Sequence, residues 1–163
     1  MKRFLAFGLL LAALGAPVLA CSASAQTVID GSDKKASPFV KNTLKTLTKR
    51  FPDTHPFFRA ITTHPNAEKK QVVCGEISLS SSKTPEPDSF MLFGATEGEN
   101  APIVYEPREI PPSIDSREVN LWINHGADLA DLEEMGCVPE GSYRQYGDKL
   151  NQVLQNKKHS ATR

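Results

Sequence analysis

Lys2 and Arg3 open the chain, an apolar run from Phe4 to Leu14 follows, Gly15 and Pro17 break it, and Ala23-Ser24-Ala25 precedes Gln26. Charge, short apolar core, helix breaker and an A-x-A site in that order predict a secretory signal peptide over residues 1–25. The core falls short of the roughly 20 apolar residues a bilayer span needs, so no transmembrane segment is expected in the mature form. This stretch constrains all that follows, because it decides which residues are left to fold and in what redox surroundings. The expected location is periplasmic or secreted.

A second processing route competes with cleavage after Ala25. Val18-Leu19-Ala20-Cys21 is similar to the lipobox of bacterial lipoproteins, with Val18 where leucine is usual and Leu19 where a small residue is usual. On that route Cys21 is lipidated and the protein becomes a membrane-anchored lipoprotein. Either route disposes of Cys21 and leaves Cys74 and Cys137. Two thiols in an oxidising compartment predict a disulfide, which closes a loop of about 60 residues and stabilises the fold by roughly 4 kcal/mol on the chain-entropy account. A redox or metal-binding pair is disfavoured, since there is no C-x-x-C and no His or Cys at zinc-site offsets.

Signal removal leaves about 138 residues, enough for one domain with one core. Residues 26–36 are polar and read as a flexible leader, residues 37–150 as a single α+β domain, and residues 151–163 as a polar basic tail. The chain carries 19 basic and 19 acidic side chains, and no long block of one sign stands out. Nucleic acid is therefore not an expected partner, nor is strong attraction to anionic lipid.

Ser37 can cap a helix with Pro38 in its first turn, and Val40, Leu44, Leu47 and Phe51 recur on one face until Pro52 ends it. Thr54 and Pro56 suggest a short second helix using Phe57, Phe58 and Ile61, closed by Pro65 and Asn66. The period then changes. Strands are expected at Gln71 to Leu79, Ser89 to Ala95 and Ile103 to Tyr105, with turn-rich links, which suggests a three-stranded antiparallel meander. Residues 116–125 fit a helix through Val119, Trp122 and Ile123, with Gly126 as its stop, but also alternate like a strand. Ala127 to Met135 is a firmer helix ending at Gly136. The expected fold is thus α+β: an N-terminal helix, the meander, C-terminal helices and one disulfide.

Pro52-Asp53-Thr54, Phe58-Arg59-Ala60-Ile61 and Val73-Cys74-Gly75-Glu76-Ile77 together resemble a group of small exported bacterial proteins of unassigned activity. Their sequences carry D-P-D-S-A-x-F-R-x-V, a short spacer, and V-C-G-E-V at a strand start. This chain has an extra residue at His55-Pro56-Phe57, and Ser78 to Asp88 replaces the N-A-K-N and Gly-rich run. The resemblance implies export and a helix-plus-sheet architecture, and it transfers no catalytic residue.

Chemistry-bearing residues have bland readings beside the sharp ones. His55 and His64 sit in two Thr-His-Pro triplets, which mark a helix start and end more simply than a metal site, because catalytic zinc wants three protein ligands. His125 and Asp128 lie in the most acid-rich stretch and would share a helix face if Gly126 did not intervene. Glu76 falls on the strand face opposite Val73 and Ile77, and a partnership with Glu106 rests on sheet proximity alone. No G-x-S-x-G, S-x-x-K or Gly-rich phosphate loop occurs. The expectation is a non-catalytic exported domain with an envelope or protein partner and no cofactor. The alternative is a small periplasmic hydrolase or metal-dependent enzyme using His125 with Asp128, or Glu76.

Overall fold

Residues 27–99 and 101–161 are described by the computed structural model; the expected signal peptide and Cys21 lie outside them. Five strands, β1 (Thr27–Val28), β2 (Phe57–Pro65), β3 (Gln71–Ser78), β4 (Phe90–Thr96) and β5 (Ile103–Tyr105), line up in chain order in one sheet. The β1–β2 pair is parallel and the remaining pairs are antiparallel. Parallel neighbours need a crossover, and helix α1 (Pro38–Arg50) supplies it between β1 and β2. Helices α2 (Val119–Glu134) and α3 (Ser142–Ala161) follow the sheet.

The expected three-stranded meander with an N-terminal helix is therefore corrected to a five-stranded mixed sheet, and the first helix lies between strands. The physical reason is a bulge. Pairing of β2 with β3 slips between Arg59 and Thr62, and Ala60 takes a left-handed φ of 53°. The slip leaves Phe58 and Ile61 both buried, three positions apart, a spacing that imitates a helical turn. A leader segment holds this bulge. Asp30 accepts hydrogen bonds from the Ala60 N–H at 2.6 Å and the Ser32 N–H at 3.0 Å, while Ser32 Oγ accepts from the Ile61 N–H at 3.1 Å. The polar stretch after the expected cleavage point thus carries β1 and a plug for β2.

Both faces of the sheet are covered. On one face α1 packs Val40, Leu44 and Leu47 against Phe58, Val73, Ile77 and Phe93. Ser37 caps that helix as expected, its Oγ accepting from the Val40 N–H at 3.3 Å. On the other face α2 and α3 bring Leu129, Leu132, Tyr146 and Leu150 to Tyr105, with Leu92 and Ile103 alongside. Helix α3 runs through the stretch whose composition reads as a tail, and Val153 is buried in this second cluster. Cys74 and Cys137 form the expected disulfide, tying the segment after α2 to β3 with Cα atoms 5.3 Å apart. Close approach here requires Gly94, where a Cβ would lie 2.6 Å from Leu132 and 2.9 Å from the Cys137 sulfur.

Candidate functional site

The first candidate, Glu76, is taken up by a cross-strand partner. Arg59 and Glu76 are registered opposite each other on β2 and β3, and Arg59 Nε donates to Glu76 Oε2 at 2.5 Å. The guanidinium also lies 3.6 Å from the Phe90 ring centroid and donates to the Pro87 carbonyl at 3.2 Å. Phe58 meets Phe93 edge-on with centroids 5.9 Å apart, and the Phe93 ring fills the space a Cβ on Gly75 would occupy. The two halves of the sequence pattern, Phe58-Arg59 and Cys74-Gly75-Glu76-Ile77, are therefore neighbours in the sheet. Each of their side chains has a packing or pairing duty. Glu106 does not join Glu76; it pairs with Arg108.

The second candidate is assembled where the sequence argues against it. Helix α2 runs unbroken through Gly126, so His125 and Asp128 stand one turn apart. Gly126 serves packing instead of termination: a Cβ there would lie 2.7 Å from the Tyr146 ring of α3. His125 is enclosed by aromatic rings, stacked on Tyr105 at 4.4 Å and edge-on to Trp122 at 6.0 Å and Tyr146 at 5.9 Å. Tyr146 donates from its hydroxyl to the Trp122 carbonyl at 2.6 Å.

Burial pushes the His125 imidazole below its usual pKa of 6.5, and the Arg108 charge adds to this. Asp128, the Glu106 carboxylate and a hydrogen bond to the Glu106 backbone oppose the shift without overcoming it. Burial raises the Asp128 carboxyl and lifts the Tyr146 phenol to about 12. The His125 Nε2 is sealed from solvent and has no hydrogen-bond partner among the described residues. The arrangement suits a neutral imidazole used as a packing element.

The two remaining histidines part company. His55 is exposed in the turn before β2, whereas His64 lies in β2 and donates from Nε2 to the Met135 carbonyl at 2.8 Å. Among the described residues, no group of three or more His, Cys, Asp or Glu side chains is placed to hold a metal ion. A cavity of about 470 Å³ opens at one end of the sheet, lined by Asn66, Glu68, Glu99, Asp131, Glu134 and Met135. It contains none of the candidate catalytic residues. Lys70 partly neutralises it, at 2.7 Å from Glu68 and 2.8 Å from Glu99.

What sequence reasoning misses is the outer surface. Leu121 and Ile123 on α2 are 57% and 51% exposed, and Tyr143 on α3 is 48% exposed. The Tyr143 ring lies against Gly126, one turn from Ile123. The charges also segregate. Residues 34–50 carry Lys34, Lys35, Lys41, Lys45, Lys49 and Arg50 with no acidic side chain, while residues 118–140 carry six carboxylates with no Lys or Arg. The first set lies around α1 and the second around α2, on opposite faces of the sheet. Among the described residues, no helix is long and apolar enough to cross a membrane.

No protein-family model matches the chain, and neither curated proteins nor solved structures give a significant match.

Proposed function

We propose that this protein is an exported, non-catalytic domain that binds an envelope or protein partner. The observation that carries the reading is the exposed apolar pair on the α2–α3 face, where Ile123 and, beside Gly126 one turn on, Tyr143 present large side chains to solvent. In support, the polar side chains best suited to chemistry are engaged internally: Glu76 by Arg59, Cys74 by Cys137 and His64 by the Met135 carbonyl. Export is proposed on the leader sequence, with Cys21 acylation as the anchored variant, and the disulfide accords with an oxidising compartment.

The test is a photo-crosslinking residue placed at Ile123 in the expressing cell. A discrete covalent adduct is expected there and not from the same residue placed at Lys83. Equal, diffuse labelling from both positions would sink the reading. A second reading, a small hydrolase using His125 with Asp128, draws on the unbroken helix and the unpartnered Nε2. It requires the Tyr105–Trp122–Tyr146 enclosure to open, and turnover of an ester or amide substrate that disappears in His125→Gln would establish it.

A further inference from the structure

Whole-chain neutrality hides a charged face. On α1, Lys41, Lys45 and Lys49 recur at i, i+4 and i+8, so they form one row about 12 Å long at the helical rise. All three are exposed, as are Lys34 and Lys35 just before the helix. None of these lysines forms an ion pair with a described residue, although each of Arg59, Lys70, Arg108, Arg117 and Lys149 does. The carboxylates that would match them gather around α2, on the far side of the sheet. A protein built this way has a direction: facing an anionic plane, one pole is attracted and the other repelled.

We propose that the α1 face is a docking surface for an anionic phospholipid bilayer. The lysine row is single-signed, and it projects from a helix whose apolar side is already sealed against the sheet, so it suits a flat surface of phosphate headgroups. A second copy of the chain is the competing occupant, since its α2 carries carboxylates. Glu133 there already accepts from the Gly141 and Tyr143 backbone N–H groups, whereas Asp131 and Glu134 form no ion pair with a described residue, so the test below includes the dimer as an outcome. The inference rests on the export reading, which puts the domain beside a membrane. It leaves the α2–α3 face pointing away from the lipid, available to a partner. It departs from the expectation, drawn from overall charge balance, of no strong attraction to anionic lipid.

The experiment is co-sedimentation of the purified protein with phosphatidylcholine vesicles, with and without phosphatidylglycerol. The readout is the difference between the two, so an acyl chain at Cys21, which acts on both, cancels. Binding is expected to increase with phosphatidylglycerol and to be lost at high salt. Lys41→Gln/Lys45→Gln/Lys49→Gln should weaken that increment roughly a hundredfold. Lys69→Gln/Lys83→Gln/Arg144→Gln removes the same charge elsewhere and should change it little. Both variants alter exposed side chains, and an unchanged melting curve verifies the fold. No phosphatidylglycerol dependence, or equal losses in the two variants, overturns the proposal. So does a salt-sensitive dimer abolished by the α1 variant, which would assign the row to a second copy. Failure here leaves the crosslinking result at Ile123 standing, so the two readings fall separately.

Discussion

The two faces of the sheet are covered by different kinds of material. Under α1 the core is aliphatic and phenylalanine, with Leu44, Leu47, Phe58, Val73, Ile77 and Phe93 all fully buried. Under α2 and α3 the core is mixed: Tyr105, Tyr146, Trp122 and His125 share it with leucines, and the disulfide crosses its edge. The first layer is closed by local sequence, a capped helix in a βαβ crossover. The second is reached by a long connection and is stapled. Apolar burial, a helix cap and the Asp30 plug secure the α1 side, whereas the α2 side adds a covalent link and a half-buried imidazole, so oxidation state and acidity should act first on that layer.

The largest effect should come from the staple. Cys74→Ser/Cys137→Ser removes a constraint spanning 63 residues and should lower unfolding free energy by about 4 kcal/mol in urea titration, with two fewer half-cystines by thiol counting. If the double variant melts like the parent, the α2 layer does not depend on its cross-link. On the opposite face, Leu44→Ala should cost about 3 kcal/mol at any redox poise. A cost that vanished under reducing conditions would merge the two layers into one.

Gly126→Ala tests the α2–α3 seam. Helix propensity alone predicts a gain of about 1 kcal/mol, but the Tyr146 ring occupies the Cβ position, and overpacking of about 1–3 kcal/mol should win. A raised melting temperature would show the seam to be loose. In the pattern shared by β2 and β3, a double-mutant cycle of Arg59→Ala and Glu76→Ala should give a coupling of about 0.5–1 kcal/mol, since both side chains are about 30% exposed.

The last effect is a slope with pH. Above pH 6.5, the ordinary histidine value, His125 is neutral folded and unfolded alike. As pH falls through that value the unfolded chain takes up a proton the folded one refuses, so stability declines until the half-buried ring itself protonates. Asp128, whose carboxyl is raised by burial, works in the other direction and only nearer its own range. Denaturation midpoints should fall between about pH 7.5 and about pH 5.5, and His125→Phe should flatten the decline. An equal decline in the variant would move the acid sensitivity away from this layer.

Legibility followed the same division. Helix α1 could be read from Ser37, Pro38 and its leucine spacing, because cap, first turn and apolar stripe all agree locally. The cysteine pair could be read from compartment chemistry. Strand β2 could not, since its bulge gives Phe58 and Ile61 a helical spacing, and β1 is two residues that pair through backbone and an aspartate. Gly126 looks like a helix stop until Tyr146 is seen beside it, and the polar end of the chain hides Val153 within α3. The segregated charge stands in the sequence at residues 34–50 and 118–140 and vanishes only when the whole chain is summed. It takes the sheet, with one helix on each side, to show that the two signs point in opposite directions.

The Asp30 plug carries a practical consequence for anyone trimming this protein. A fragment begun at Ser37, where composition suggests the ordered part starts, would delete the acceptors that hold the Ala60 and Ile61 amides. It would expose a raw outer edge on β2, the kind of unfinished border along which sheets recruit neighbours and precipitate. Keeping the dozen or so residues after the expected cleavage point is what should stop the shortened chain from pairing along that border.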